Sequence, residues 1–185
     1  MTGESLDSKT ALVTGGHQGI GRAIVETLAG AGANVAVLDV NPAIADVAAE
    51  VGRRNPSVTV TALQADVTST QEIAAAVEEV NQRLGRVDIL VNNAGIVGKQ
   101  RAWSWDGDEA VWQATLDINL VGTYRVTKAV VPQMIEARAG RVINIASISG
   151  KQGSPATRPI ARRSTGSSAS PERWRGSSRC WGSRS

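Results

Sequence analysis

Residues 10–21 read Thr-Ala-Leu-Val-Thr-Gly-Gly-His-Gln-Gly-Ile-Gly, and this stretch decides the fold. Residues 10–13 are a short apolar run stopped by Gly15 and Gly16, the pattern of a buried strand. From Gly19 onward, apolar residues at Ile20, Ala23, Ile24 and Leu28 recur at helical spacing until Gly30 and Gly32. A glycine turn between a strand and a helix is the setting of a phosphate site. Its backbone can approach a pyrophosphate closely, and the helix start offers N–H groups and the positive end of its dipole. The candidate residues are Thr14, Gly15, His17, Gln18, Gly19, Ile20 and Gly21, in the spacing G-x-x-x-G-x-G rather than G-x-G-x-x-G. Three glycines alone would serve equally as a helix-entry turn. The strand before, the helix after and an acid at the end of the next strand select nucleotide binding.

Working outward, residues 34–38 form a second apolar strand closed by Asp39, and Pro42 suits the first turn of a helix running to about Arg54. Residues 58–63 are a third strand, rich in β-branched side chains. Thr68 or Ser69 can cap a helix to about Leu84, with Glu72 placed for a capping box with Ser69. Residues 87–91 are a fourth strand, Asn92 to Gly95 turn the chain, and 96–107 form a loop carrying Trp103 and Trp105. One long helix is expected over 108–137, where Gly122 suggests close packing against another backbone and Pro132 a bend or an end. Residues 141–145 are a fifth strand. Strands alternating with helices imply an α/β fold: a doubly wound parallel sheet, Rossmann-like, with ligands at the carboxyl ends of its strands.

Asp39 lies 18 residues after Gly21. A carboxylate there can accept hydrogen bonds from the adenosine ribose and would repel a 2′-phosphate, so NAD is favoured over NADP. A helix N-cap or a surface-turn residue is the alternative role. Asp66, before Val67, has two readings of equal standing, a bond to the adenine amino group or a cap.

Composition narrows the function classes. The net charge is +3, but residues 158–185 hold seven Arg and one Glu while residues 1–157 are net acidic. The body of the chain therefore suggests no nucleic-acid or membrane partner, and the basic tail has neither helical periodicity nor a recognition motif. A single Cys180 and a single His17 give neither a disulfide framework nor a metal-ligand spacing, so no metal is expected. The first residues lack the basic and apolar regions of a signal peptide, which makes a cytoplasmic location the default expectation.

Five ordered motifs together resemble the short-chain dehydrogenase/reductase family. They are Thr14-Gly15 with Gly19-Ile20-Gly21, Asp66-Val67, Asn92-Asn93-Ala94-Gly95, Asn119-Leu120 with Gly122, and Ile143 through Ser147. The resemblance covers about residues 9–157. It implies hydride transfer between nicotinamide and an alcohol or ketone, with Asn92, Asn93, Ala94 and Gly95 bordering the adenine side and stabilising the central strand. It also implies that the Asn119 backbone carbonyl holds a proton-relay water and that Ser147 bonds the substrate oxygen. Ser149 is the weaker serine candidate. Without the resemblance, Asn119 would be a helix-kink or buried polar residue and Ser147 a strand-end turn residue. The family is commonly homodimeric or homotetrameric.

The resemblance breaks at about Thr157. The family places Tyr-x-x-x-Lys about 13 residues after the serine, the Tyr as acid/base and the Lys lowering its pKa. This chain has Ile160 and Ser164 there. Tyr124 and Lys128 fit the spacing but precede Ser147, and read as part of the long helix. The segment 158–185, rich in Ser, Arg and Gly, reads as an aberrant and largely disordered basic tail after an incomplete nucleotide-binding domain over 1–157, the C-terminal part of the fold missing. A slipped reading frame is the hypothesis that would account for it. Residues 157–172 can be encoded so that one G restored after the Thr157 codon gives Thr-Ala-Pro-Tyr-Ser-Ala-Ser-Lys-His-Gly-Phe-Ile-Gly-Phe-Thr.

Overall fold

The computed structural model describes residues 5–97 and 107–147. In chain order these form β1 (Thr10–Thr14), α1 (Gly19–Gly30), β2 (Asn34–Asp39), α2 (Ile44–Arg54), β3 (Val60–Gln64), α3 (Thr70–Leu84) and β4 (Ile89–Asn92). There follow α4 (Glu109–Leu116), a π-helical segment (Asp117–Gly122), α5 (Thr123–Glu136) and β5 (Arg141–Asn144). The five strands make one parallel sheet in the order β3-β2-β1-β4-β5. The order reverses direction at β1, so the crevice beyond its carboxyl end is the switch point where such sheets bind ligands.

Side chains alternate across the sheet, and both faces are apolar because helices cover both. Leu12, Leu38, Leu63 and Leu90 pack with Ile73, Val80, Val126 and Val130 of α3 and α5. Val13, Val35, Val37 and Val91 pack with Val25, Ala29, Ile44 and Val51 of α1 and α2. The central strand β1 is buried along its whole length.

Several expectations are corrected. The helix expected over 108–137 is not regular: the π-helical segment interrupts it, and Asn119 and Gly122 lie in that widened turn. Gly122 packs most closely on a side chain of another element, since a Cβ there would come within 2.8 Å of Val67 Cγ2, and the backbone atom close to it is the Asp117 carbonyl of its own π-helical segment, at 3.3 Å. Pro132 sits inside α5 without ending it, and Pro42 precedes α2 in a turn closed by Ile44 N–H to Asn41 O. Ser69 caps α3 by accepting the Glu72 N–H at 3.2 Å, but Glu72 takes the Asp66 N–H at 2.8 Å instead of completing a box with Ser69. Strands β3 and β4 each begin two residues later than expected. Trp103, Trp105, Ser149, Cys180 and the tail lie outside the described residues.

Candidate functional site

Thr14 closes β1 and anchors the site. Its buried hydroxyl accepts the Asn93 and Ala94 N–H groups, each at 3.0 Å, and approaches Val91 O at 3.5 Å. Asn93 replies by donating Nδ2 to the carbonyls of Thr14 at 3.0 Å and Gly15 at 2.9 Å. These bonds clamp the ends of β1 and β4 together. Gly15 turns at φ 67° and Gly19 at φ 57°, the left-handed region that disfavours side chains. A Cβ on Gly21 would collide with Gly15 O and Asn93 Nδ2, whereas one on Gly19 would meet nothing within 4 Å. The turn is therefore tightly packed behind and open in front, which suits an incoming diphosphate. The first N–H groups of α1 have no intrahelical partner, and the residues that carry them, Gly19, Ile20 and Gly21, line the cleft.

A cleft of about 740 Å³ runs along the carboxyl ends of the strands. Gly15, Gln18, Gly19, Ile20, Gly21, Asp39, Asp66, Val67, Asn93, Ala94, Gly95 and Ser147 all line it. Thr14 and His17 are not among the lining residues. Thr14 lies buried behind the turn, and His17 directs its backbone N–H to Asp39 Oδ2 at 3.1 Å. Asp39 Oδ1 accepts the Asn41 N–H at 3.0 Å, and Asp66 Oδ1 accepts the Thr68 N–H at 2.8 Å. Both carboxylates thus cap local turns and also line the cleft. A carboxylate has about four acceptor positions, so Asp39 keeps capacity for a ligand.

Asn119 is 1% exposed and is not part of the cleft wall. Its side chain pairs with the backbone of Ile96 in both directions, Oδ1 from Ile96 N and Nδ2 to Ile96 O, each at 2.8 Å. It thereby holds the segment after β4, while its own carbonyl accepts the Thr123 hydroxyl at 3.0 Å. Asn92 ties β4 to its neighbours, donating Nδ2 to Thr127 Oγ1 at 3.0 Å and Asn144 Oδ1 at 2.8 Å. Tyr124 is 61% exposed on α5, with Lys128 Nζ 6.0 Å from its ring centre, and neither borders the cleft.

Sequence reasoning missed the apolar walls, Val40, Ile96, Val97 and Ile118. Val40 is 64% exposed one residue past the end of β2, and a large apolar side chain just beyond a strand's carboxyl end is the signal that was available. Among the described residues there is no cluster of side chains that could hold a metal ion, and no helix long and apolar enough to cross a membrane.

A family description for short chain dehydrogenase matches residues 9–159. Oxidoreductase UcpA of Escherichia coli K12 is 41% identical over 145 residues, which is 78% of this chain and 54% of that protein. The NAD-dependent glycerol dehydrogenase of Listeria innocua is 36% identical over 143 residues, 77% of this chain and 54% of that protein. Among solved structures, a 3-oxoacyl-[acyl-carrier protein] reductase with bound NAD from Brucella melitensis superposes with a TM-score of 0.82 at 30% identity, covering 88% of this chain and 63% of that one. The chain thus spans just over half the length of these two sequence relatives. The glycine turn, the β1–β4 clamp and the match across residues 9–159 agree, and the chain belongs to the short-chain dehydrogenase family of oxidoreductases.

Proposed function

We propose that the described domain binds NAD and that the 185-residue chain does not turn over substrate. The observation that carries this is the pairing of a formed cleft, lined by the glycine turn and Asp39, with a sequence that has Ile160 and Ser164 where a Tyr and a Lys would follow Ser147. Bound NAD supplies a hydride acceptor for an alcohol carbon. Gly15, Gly19 and Gly21 admit the diphosphate, Asp39 accepts from the adenosine ribose, and Asp66 with Val67 borders the adenine. The Asp39 carboxylate repels a 2′-phosphate, which supports NAD over NADP. Ser147 orients the substrate oxygen at the far end of the cleft, and Asn119 fixes the adjoining segment and supports proton relay. Neither Ser147 nor Asn119 removes the alcohol proton at neutral pH, because a serine hydroxyl and a carboxamide are not bases there, and the proposed roles of Asp39 and Asp66 put them at the adenosine end.

The full-length lineage we read as an NAD-dependent alcohol or ketone oxidoreductase, in keeping with the glycerol dehydrogenase and oxoacyl reductase relatives. One restored base near Arg158 would return the Tyr and Lys in register. Domain 1–157 is then the nucleotide-binding unit and 158–185 an out-of-frame tail. Exposed Leu120, Tyr124 and Ile135 are compatible with the subunit contact of homodimers or homotetramers in the family. Fluorescence titration with NADH and NADPH, beside an alcohol-oxidation assay, tests the proposal. NADH binding without turnover is expected; turnover by the unrepaired chain, or a preference for NADPH, contradicts it. Resequencing the gene tests the frame shift, which fails if the reading frame holds no hidden Tyr-Ser-Ala-Ser-Lys.

A further inference from the structure

Three consecutive N–H groups of the glycine turn donate into the end of β2. Gly15 N–H reaches Leu38 O at 2.7 Å, Gly16 N–H reaches the same oxygen at 3.4 Å, and His17 N–H reaches Asp39 Oδ2 at 3.1 Å. Two of these moorings use a backbone carbonyl, which no substitution removes. The third depends on one side chain. Beyond His17 the chain enters Gln18 and α1, whose first residues, Gly19, Ile20 and Gly21, line the cleft. The position of that helix start is therefore set partly by the carboxylate at the end of the neighbouring strand β2.

We propose that Asp39 is a positioning residue for the diphosphate turn: it holds the His17 N–H, and so governs affinity for a diphosphate that it does not touch. This rests on the nucleotide-site reading above and goes beyond ribose recognition. The two roles coexist because each carboxylate oxygen has a second acceptor position. The bonds to His17 and Asn41 leave room for ribose hydroxyls.

The role makes a prediction opposite in sign to simple electrostatics. Removing a negative charge beside an anion site should strengthen diphosphate binding. Removing an acceptor that holds the turn should weaken it. Asp39→Asn removes the charge and keeps one oxygen for His17; exposed Asn41 then turns to water for its partner. Asp39→Ala removes both. Inorganic pyrophosphate is the probe, since it has no ribose to contact residue 39, and isothermal titration of the full chain gives its affinity. The exchange rate of the His17 amide, read by NMR, gives a second measure without any ligand.

The expected order of pyrophosphate affinity is Asp39→Asn equal to or tighter than the unmodified chain, with Asp39→Ala about tenfold weaker. The His17 amide should exchange about tenfold faster in Asp39→Ala, with the Val37 amide of β2 unchanged and Asp39→Asn close to the unmodified chain. A folded Asp39→Ala chain that binds pyrophosphate as tightly as the unmodified one, with His17 exchange within twofold, overturns the proposal alone. An unmodified chain that binds neither pyrophosphate nor NADH overturns the site reading, and this proposal with it.

Discussion

Thr14→Val isolates the clamp between β1 and β4. Valine has nearly the volume of threonine, so no cavity opens in a site that is 2% exposed. What is lost is the oxygen that accepts the Asn93 and Ala94 N–H groups at 3.0 Å. A buried donor left without a partner costs about 1–3 kcal/mol. Asn93 and Ala94 are half-buried, so water reaches them in part and the low end applies, giving about 2–3 kcal/mol for the pair. That is a substantial share of the 5–15 kcal/mol typical of a domain, yet small enough to leave the chain folded. It corresponds to a melting temperature about 4–12 °C lower for a chain of this size. Urea unfolding followed by circular dichroism measures it. Thr14→Ser keeps the oxygen and loses one methyl group, so it should cost about 0.8 kcal/mol. If Thr14→Val proves as stable as the unmodified chain, or no less stable than Thr14→Ser, the hydroxyl does not hold the two strands together.

Further outcomes follow from other parts of the site. Gly19→Ala places a Cβ in open space at φ 57°; it should cost about 1–2 kcal/mol in urea unfolding while abolishing NADH binding, because the proposed nucleotide site puts the diphosphate in that space. Ser69→Ala removes the cap on the Glu72 N–H and should cost about 1 kcal/mol in the same assay, with NADH affinity unchanged. Glu50 has its pKa lowered, chiefly by its hydrogen bond to Arg22; desolvation opposes this as the next largest effect, and the nearby charges of Arg22, Arg54 and Arg53 add to the lowering. A carboxylate with a depressed folded-state pKa contributes stability above its unfolded pKa and loses it as the pH falls through the folded value. Melting temperature plotted against pH should therefore fall less steeply on the acid side for Glu50→Gln than for the unmodified chain, and the difference should shrink in high salt.

The nucleotide half of the fold was legible because each of its cues is local. Gly15, Gly19 and Gly21 follow a strand run and open a helical run, and the structure puts all three on the cleft wall. Asp39 and Asp66 were found from their positions at or just past strand ends, where a parallel sheet gathers its ligand contacts, and Asn93 only from the family motif that carries it. What sequence could not give was partnership across the chain. The π-helical turn at Asn119 leaves no periodicity signature, since it widens one turn inside an otherwise helical pattern. The identity of Gly122's neighbour, the Val67 side chain, and the pairing of Asn119 with Ile96 both depend on segments brought together only by folding. The bond from His17 to Asp39 spans 22 positions and pairs a backbone donor that any residue would supply. The mis-assigned capping box shows the same limit on a smaller scale: Glu72 sits at the right spacing for Ser69, but the turn at Asp66 offers its carboxylate a better-placed N–H.

The account turns on cofactor binding uncoupled from proton transfer, and one cuvette tests it. NADH fluorescence is titrated against the purified chain, a ketone panel is added at saturation, and absorbance at the reduced nicotinamide band is followed. The expected result is saturable binding with no loss of the reduced form beyond that of a protein-free blank. Steady oxidation of NADH by the chain as it stands, or no binding at all, would contradict it.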